Sequence, residues 1–381
     1  MRNGYQLLIL KELFNTHKKS RVDLSKDLKI NKTSISSSVT SLIEEGLVRE
    51  ISVGEASSKG GRRPIELTLN HEYAYFMAID LSRDYISYCI CNMNFEIKSY
   101  NIKKINISSN NVIDEIEKII NQTQGDYIIS GENKLKGITI AIHGIVRNNK
   151  IIFTPNYNID HVDLLKELKK SLPDICFNMI NESNAAALCE YYITQIDNLV
   201  TINVGSGLGA GIIIDGDLHK GNRGYGGEIG HMIIMPDGKE CHCGNKGCFE
   251  QYCSSSADIE YYNDHTKASK ISSSKELIDL FYKNDSLAIE TIDRNVKYMS
   301  IGINNLMKTI DPAVVYINSD LAYNIPSYLE KVSKNVKSTF CQDISISVSK
   351  FNDKSTLIGS IYYSIIKFFE LWKIENFQYC C

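Results

Sequence analysis

Four side chains that commonly bind metal ions lie close together in the middle of the 381-residue chain. Thiolate sulfur and imidazole nitrogen are preferred ligands of Zn²⁺, and four protein ligands form a closed tetrahedral site that organises structure and does not activate water. The sequence therefore predicts a structural zinc site, with His242 and Cys253 as alternative ligands; the competing interpretation is a surface loop of reduced thiols. The predicted ligands are His231, Cys241, Cys243 and Cys248.

The chain-wide composition is that of a folded protein without a disulfide framework. Its 11 cysteines are an odd number at irregular positions, which indicates reduced thiols. No apolar run reaches the roughly 20 residues that cross a bilayer, and the first residues lack the apolar segment of a signal peptide. These features predict a cytoplasmic protein without a membrane partner.

Charge is distributed unevenly along the chain. Residues 1–70 contain 12 Lys and Arg against 8 Asp and Glu, whereas residues 71–381 contain 30 against 37. A small basic segment therefore precedes an acidic body, an arrangement typical of a nucleic-acid-binding module joined to another domain.

The basic segment has the pattern of a winged helix-turn-helix. Apolar spacing predicts helices over residues 5–17 and 23–28, and Asn31 supplies an N-cap for a third helix that ends at Gly46. Alternating residues 47–51 and 65–69 then predict two strands joined by a basic arm that fits the minor groove of DNA. A protein-interaction module with a Ser-rich surface is the alternative. The residues that we expect to contact operator DNA are Lys32, Thr33, Ser34, Ser36, Ser37, Thr40, Arg62 and Arg63.

Strands and helices alternate from residue 71 onward, which predicts an α/β fold. The glycine-rich segment 205–209 joins two predicted strands, so it is not the strand-loop-helix of a dinucleotide site; it is either a tight turn or an anion-binding loop. A further strand is predicted over 311–318, and the polar residues 263–290 indicate no clear element. The predicted domains are 1–70, a smaller α/β lobe of 71–197 completed by the helix 356–381, and a larger lobe of 198–355 that contains the zinc site.

The order of motifs resembles the ROK family of bacterial repressors and sugar kinases, and within it the xylose-repressor-like members. This resemblance implies a two-lobed, actin-like ATPase (RNase H-like) domain with a sugar in the cleft, and a homodimer or dimer of dimers. The matching segments are Gly60–Pro64, His143–Val146, Asn181–Ala187, Gly205–Gly209, Glu228–His231 and Cys241–Cys248.

Two departures from the family's kinases favour a repressor. The kinases have an Asp-x-Gly-Gly-Thr loop, whereas this chain has Asp80-Leu81-Ser82-Arg83-Asp84, in which both glycine positions are filled and Asp84 would repel a polyphosphate. The kinase base follows an Asn in an Asn-Asp pair, and this chain has Glu182 there instead, which moves the carboxylate by roughly an ångström. We therefore expect no enzyme activity. An ATP-dependent sugar kinase, with Arg83 as a new phosphate contact, is the alternative.

The resemblance also implies a sugar site. A sugar bound there would modulate operator binding and so regulate a carbohydrate operon. Xylose is the sugar that the resemblance favours, with glucose and N-acetylglucosamine as alternatives, and a module that binds no sugar is a third hypothesis. The implied sugar-binding residues are Gly144, Asn156, Asn181, Glu182, Glu228, His231 and Glu250, of which His231 would also bind zinc.

Overall fold

The structure is a computed structural model that describes residues 4–53, 65–127, 134–155, 157–339 and 345–375. Contacts between residues group the chain into two compact units. The first comprises Met1–Ile140, Val162–Asn178 and Tyr363–Cys381, and the second comprises Ala141–His161 and Met179–Tyr362. This division differs from the predicted domain boundaries, which stay a prediction.

Helices and strands alternate through most of the described chain, as the α/β prediction requires. No helix in the described ranges is both long and apolar enough to cross a membrane. The helices are α1 (Gly4–Thr16), α2 (Arg21–Asp27), α3 (Lys32–Glu44), α4 (Val112–Tyr127), α5 (Leu164–Ser171), α6 (Glu182–Thr194), α7 (Glu250–Cys253), α8 (Ser255–His265), α9 (Ser274–Tyr282), α10 (Ser286–Ile310), α11 (Asp320–Asn324), α12 (Ser327–Asn335) and α13 (Ser355–Glu375). The strands are β1 (Lys19–Ser20), β2 (Val48–Val53), β3 (Ile65–Leu69), β4 (Ala74–Leu81), β5 (Tyr85–Asn92), β6 (Ile97–Lys104), β7 (Lys134–Ile142), β8 (Ile145–Arg147), β9 (Lys150–Phe153), β10 (Cys176–Asn181), β11 (Leu199–Val204), β12 (Leu208–Ile214), β13 (Asp217–Leu218), β14 (Val314–Asn318) and β15 (Ser345–Ser347).

The N-terminal segment folds as three helices followed by an antiparallel strand pair. The side chain of Asn31 accepts a hydrogen bond from the Ser34 N–H at 2.8 Å, so the predicted N-cap of α3 is present. The apolar side of α3 is buried at Ile35, Val39 and Leu42, whereas Ile43 is only partly buried. β2 pairs with β3, and β1 adds a short third strand. The basic arm between β2 and β3, with Arg62 and Arg63, lies outside the described residues.

A five-stranded sheet, ordered β10-β7-β4-β5-β6, follows this segment. β4, β5 and β6 are antiparallel neighbours, and every residue of β4 is buried. The turn between β4 and β5 contains the segment that departs from the kinase pattern. Its Ser82 N–H donates to the Tyr85 carbonyl, and Arg83 pairs with Asp84 at the surface at 3.4 Å.

The second unit is built on a mixed sheet with the order β13-β12-β11-β14-β15. β11 is antiparallel to β12 and parallel to β14, and β14 is parallel to β15. α6 packs on this sheet at Gly211, where an added Cβ would overlap the Ser183 carbonyl. This close approach brings the start of α6 next to β12.

Two features of the second unit differ from the sequence-based expectations. The 25-residue helix α10 begins at Ser286, within the polar segment for which no element is predicted, and Asp285 caps it. The strand predicted from Asp311 begins instead at Val314. Asp311 ends α10 in a left-handed conformation (φ 53°) with its N–H bonded to the Met307 carbonyl, so it cannot continue directly as a strand.

Candidate functional site

The predicted zinc ligands come together in space. His231 ends a 3-10 turn (Ile229–His231), and the cysteines lie on a loop that is held to it by a bridge between Ile233 and Cys248. The four ligand atoms all lie within 4.8 Å of one another. Cys241 Sγ is 3.6 Å from His231 Nδ1, and Cys243 Sγ is 3.6 Å from Cys248 Sγ.

These spacings fit a tetrahedral zinc ion. Bonds of about 2.3 Å to sulfur and about 2.0 Å to nitrogen at tetrahedral angles require ligand separations of about 3.8 Å between sulfurs and about 3.6 Å between sulfur and nitrogen. The observed 3.6 Å separations match both requirements. The donor set is therefore suited to zinc, which would tie the 3-10 turn to the cysteine loop.

An alternative donor set shares two of these residues. His231, Cys241, His242 and Glu250 also offer ligand atoms within 4.8 Å of one another. Glu250 Oε1 lies 3.1 Å from Cys241 Sγ and 3.4 Å from His231 Nδ1. His242 thus remains an alternative ligand, whereas Cys253 belongs to neither group, since its buried thiol donates to the Asn295 carbonyl at 3.6 Å.

A second cluster of polar side chains lies at the start of α6. Asn181 caps this helix through its Oδ1, and its Nδ2 donates to the Gly144 carbonyl at 2.9 Å and to Glu182 Oε2 at 2.7 Å. The other carboxylate oxygen of Glu182 accepts a hydrogen bond from the Ser183 hydroxyl at 2.9 Å. These bonds hold the Glu182 carboxylate in a defined orientation.

Glu228 connects the two clusters electrostatically. Burial, together with the charges of Glu182 and Glu250, raises the pKa of the Glu228 carboxyl to about 7. This interaction indicates that the three carboxyl groups lie close to one another. A site of this kind can accept hydrogen bonds from sugar hydroxyls and, through neutral Glu228, donate one.

The glycine-rich segment packs against these carboxylates. It forms the turn of an antiparallel hairpin, with Val204 opposite Leu208. Whether its N–H groups bind an anion stays a prediction. A Cβ on Gly207 would lie 3.6 Å from Glu250 Oε2, and one on Gly209 would lie 2.8 Å from the Ser183 hydroxyl. Ser183 and Gly209 lie within two motifs that the sequence analysis identified, Asn181–Ala187 and Gly205–Gly209, although neither residue was predicted to bind sugar.

The other predicted sugar-binding residues have mixed outcomes. The site residues that the structure describes all belong to the second unit. Gly144 is required by local packing, because an added Cβ would overlap the Phe153 carbonyl. Asn156 lies outside the described residues. The role of each of these residues in sugar binding stays a prediction.

The expected DNA-binding face of α3 is accessible. Lys32, Thr33, Ser36, Ser37 and Thr40 are exposed, whereas Ser34 is half-buried. Two cations of this segment outside α3 form ion pairs: Lys18 pairs with Glu66, and Arg21 pairs with Glu50. The exposed face of α3 therefore presents short polar side chains and one lysine.

Comparison with known proteins relates most of the chain to one family. A sequence profile of the ROK family matches residues 76–365. The xylose repressor of Bacillus subtilis (strain 168) is 32% identical over 343 residues, which cover 87% of this chain and 86% of that protein. N-acetylmannosamine kinase of Haemophilus influenzae (strain ATCC 51907 / DSM 11121 / KW20 / Rd) is 28% identical over 295 residues, or 75% of this chain and 94% of the kinase. A crystal structure of a ROK family transcriptional regulator, a homolog of the E. coli MLC protein, has a TM-score of 0.76 and 27% identity, and the match covers 90% of each chain.

Proposed function

Because this chain belongs to the ROK family and has the α/β fold expected of it, we propose that it is a sugar-responsive, DNA-binding transcriptional repressor of a carbohydrate utilisation operon. The observation that carries this proposal is the extent of the matches. Relatives named as repressors align over 87% or more of this chain, while the kinase aligns over 75%. The family profile begins at residue 76, after the helical N-terminal segment.

Operator binding would use the N-terminal segment as a winged helix-turn-helix. α3 would lie in the major groove, where its short polar side chains permit close approach to bases and phosphates, while Arg62 and Arg63 reach the minor groove. Two copies in a homodimer, or four in a dimer of dimers, would match a palindromic operator. These assignments are supported by the exposure of the α3 face.

The effector would be a sugar bound by the carboxylates of the second unit. Glu182, Glu228 and Glu250 would pair with its hydroxyls, and the zinc cluster would hold His231 and the loop before Glu250 in place. A sugar that prefers one conformation shifts the protein toward it and thereby changes operator affinity. Xylose is the proposed effector, which rests on the names of the relatives.

ATP-dependent sugar phosphorylation is the second candidate, because a relative at 28% identity is named a kinase. The filled Asp80–Asp84 turn speaks against it: its Ser82 N–H is already bonded to the Tyr85 carbonyl and is unavailable to a phosphate. A coupled assay for ADP release across pentoses and hexoses tests this candidate. Turnover above one per minute would favour the kinase over the repressor.

The first test is thermal stability of the zinc-loaded protein against xylose, glucose and N-acetylglucosamine, each with and without ATP-Mg²⁺. A sugar that binds the folded protein raises the melting midpoint. We expect one sugar to raise it and nucleotide to have no effect. A shift with nucleotide would support the kinase, and no shift with any sugar would refute the proposed sugar sensor.

The second test separates sugar sensing from DNA binding. Glu228→Gln should abolish the effect of that sugar on operator binding and leave operator affinity itself within about threefold. Glu240→Gln is the matched control, because that side chain is 85% exposed and pairs with Lys246 on the surface. A sugar response that survives in Glu228→Gln would remove Glu228 from the site.

The third test concerns the DNA contacts. Each phosphate contact contributes about 0.9 to the slope of log affinity against log salt. Arg62→Ala should therefore reduce that slope by about one, whereas Lys18→Ala, whose amine already pairs with Glu66, should not change it. Equal slopes for Arg62→Ala and the unmodified protein would exclude a phosphate contact by the basic arm.

A further inference from the structure

Helix α13 is bonded to the proposed sugar site at its beginning. The Thr356 hydroxyl donates to the backbone carbonyl of Glu182 at 3.4 Å. One turn later Gly359 lies so close to α6 that an added Cβ would overlap the Ala185 carbonyl. The first turns of α6 and α13 are thus in close backbone contact.

A buried polar network reinforces this attachment. Asn203 and Asn318 lie opposite each other on the parallel strands β11 and β14, and Asn318 Nδ2 donates to Asn203 Oδ1 at 3.0 Å. The same Nδ2 donates to the Ser355 hydroxyl at 3.1 Å, and the Tyr323 hydroxyl donates to Asn318 Oδ1 at 2.8 Å. Asn203 Nδ2 in turn reaches the Glu182 carbonyl at 3.5 Å. Buried networks of this kind have discrete arrangements, because an unpaired member is costly.

The later part of α13 packs against the N-terminal helical segment. The Phe369 ring meets the Phe14 ring of α1 edge to face, with centroids 5.7 Å apart, and Phe14 also contacts Phe95 at 6.1 Å. Phe14 and Phe369 are both buried. The preceding residue, Phe368, faces Phe76 of β4 instead, with centroids 5.6 Å apart. From Thr356 to Phe369 the helix extends about 20 Å without interruption.

We propose that α13 transmits the state of the Glu182 site to the N-terminal helical segment, from the Thr356–Glu182 hydrogen bond to the Phe369–Phe14 contact. This inference rests on the proposed function, since it names the route by which sugar alters operator binding. Binding at Glu182 repositions the first turn of α6, the Thr356 and Gly359 contacts carry that displacement to α13, and Phe369 transfers it to α1. Thr356 and Phe369 are positioning residues that touch neither sugar nor DNA.

The test measures the ratio of operator dissociation constants with and without sugar, a coupling factor that is typically about 5- to 150-fold. Thr356→Val removes the hydroxyl and keeps the shape, and Phe369→Leu removes the ring contact with α1. Each variant should bind sugar alone and operator alone within about threefold of the unmodified protein. In each variant, the coupling factor should fall to less than one fifth of its value in the unmodified protein. The coupling factor of the double variant should fall no further than that of either single variant.

Matched controls distinguish transmission from general loosening. Thr291→Val makes the same change at a buried helical threonine whose hydroxyl donates to Leu287 within its own helix, and Phe368→Leu changes the neighbouring ring that faces Phe76. Both controls should keep the full coupling factor. The inference would be overturned if Thr356→Val and Phe369→Leu keep a coupling factor within twofold of that of the unmodified protein. It would also be overturned if the two controls lose as much of the coupling factor.

Hydrogen–deuterium exchange on the unmodified protein provides a second test that does not depend on folding of the variants. Adding the sugar should change exchange in α6, in α13 and in α1. A change confined to α6 and the zinc loop would overturn the inference and leave the proposed function intact. If sugar does not alter operator binding by the unmodified protein at all, the proposed function fails, and this inference fails with it.

Discussion

Substitution of Gly209 by Ala tests the geometry of the candidate sugar site directly. The new Cβ would lie 2.8 Å from the Ser183 hydroxyl and 3.6 Å from Glu182 Oε1. Ser183 is 1% exposed, so its hydroxyl has little room to move without giving up its 2.9 Å bond to Glu182. The substitution therefore removes one of the hydrogen bonds that orient the Glu182 carboxylate.

The expected loss of sugar affinity follows from the free energy that this Ser183–Glu182 hydrogen bond contributes. A hydrogen bond to a charged group contributes about 1.5–3 kcal/mol, which corresponds to about 10- to 100-fold in affinity if sugar binding requires the present orientation of Glu182. Isothermal titration calorimetry with the sugar identified in the thermal screen measures this loss. Ser183→Ala, which removes the same bond without adding an atom, should give a loss of similar size.

The glycine-rich segment supplies its own control. A Cβ on Gly205 would meet no atom within 4 Å, so Gly205→Ala should change sugar affinity by less than twofold. The reasoning is refuted if Gly209→Ala binds sugar as well as the unmodified protein. It is also refuted if Gly205→Ala is impaired to the same degree, because the effect would then come from backbone stiffening and not from contact with Ser183.

Further predictions concern stability and the metal. Burial raises the pKa of Asp258 to about 8, so between the unfolded pKa and this value the folded state holds a proton that the unfolded state has lost. The free energy of unfolding of the unmodified protein, relative to that of Asp258→Asn, should therefore fall by about 1.4 kcal/mol for each unit that the pH rises. Urea unfolding from pH 5.5 to 7.5 measures this difference, and a difference that stays constant would contradict the prediction. We expect elemental analysis of the unmodified protein to find one zinc ion per chain. Cys248→Ser should lose this ion, whereas Cys253→Ser should retain it. Gly302→Ala should lower the thermal midpoint, because its Cβ would overlap the Phe249 ring and overpacking costs about 1–3 kcal/mol; an unchanged midpoint would show that Phe249 can move aside.

The cluster of predicted zinc ligands is a feature that the sequence predicts well. Cysteines separated by a few residues and interrupted by glycine can meet only in a small loop, so short-range geometry nearly determines their proximity. His231 is ten residues from Cys241, and the structure places the two ligand atoms 3.6 Å apart as expected. The choice between the Cys248 set and the set with His242 and Glu250 depends on small side-chain rotations, which sequence spacing does not resolve.

The helix α10 shows the opposite case. Polar residues are interspersed with hydrophobic ones along this helix. Three of the polar residues are buried: Thr291, Asn295 and Ser300. Asn295 is buried because it bonds Asp258 at 2.6 Å and accepts from the Tyr328 hydroxyl at 2.6 Å. From the sequence alone such polar residues are predicted to be exposed, because their hydrogen-bond partners come from distant parts of the chain.

By itself, the sequence determined the features that depend on neighbouring residues: the cap of α3 at Asn31, the alternation of strands and helices, and the proximity of the predicted zinc ligands. Tertiary structure alone decided which atoms meet across long separations. It places the Ser183 hydroxyl next to Gly209 and joins Thr356 to the Glu182 carbonyl across 174 residues of sequence. It also raises the pKa of Glu228 through burial and the charges of neighbouring carboxylates. The physical reason is that capping and turn formation are local backbone effects, whereas burial, close packing and electrostatic coupling exist only after distant segments have folded together.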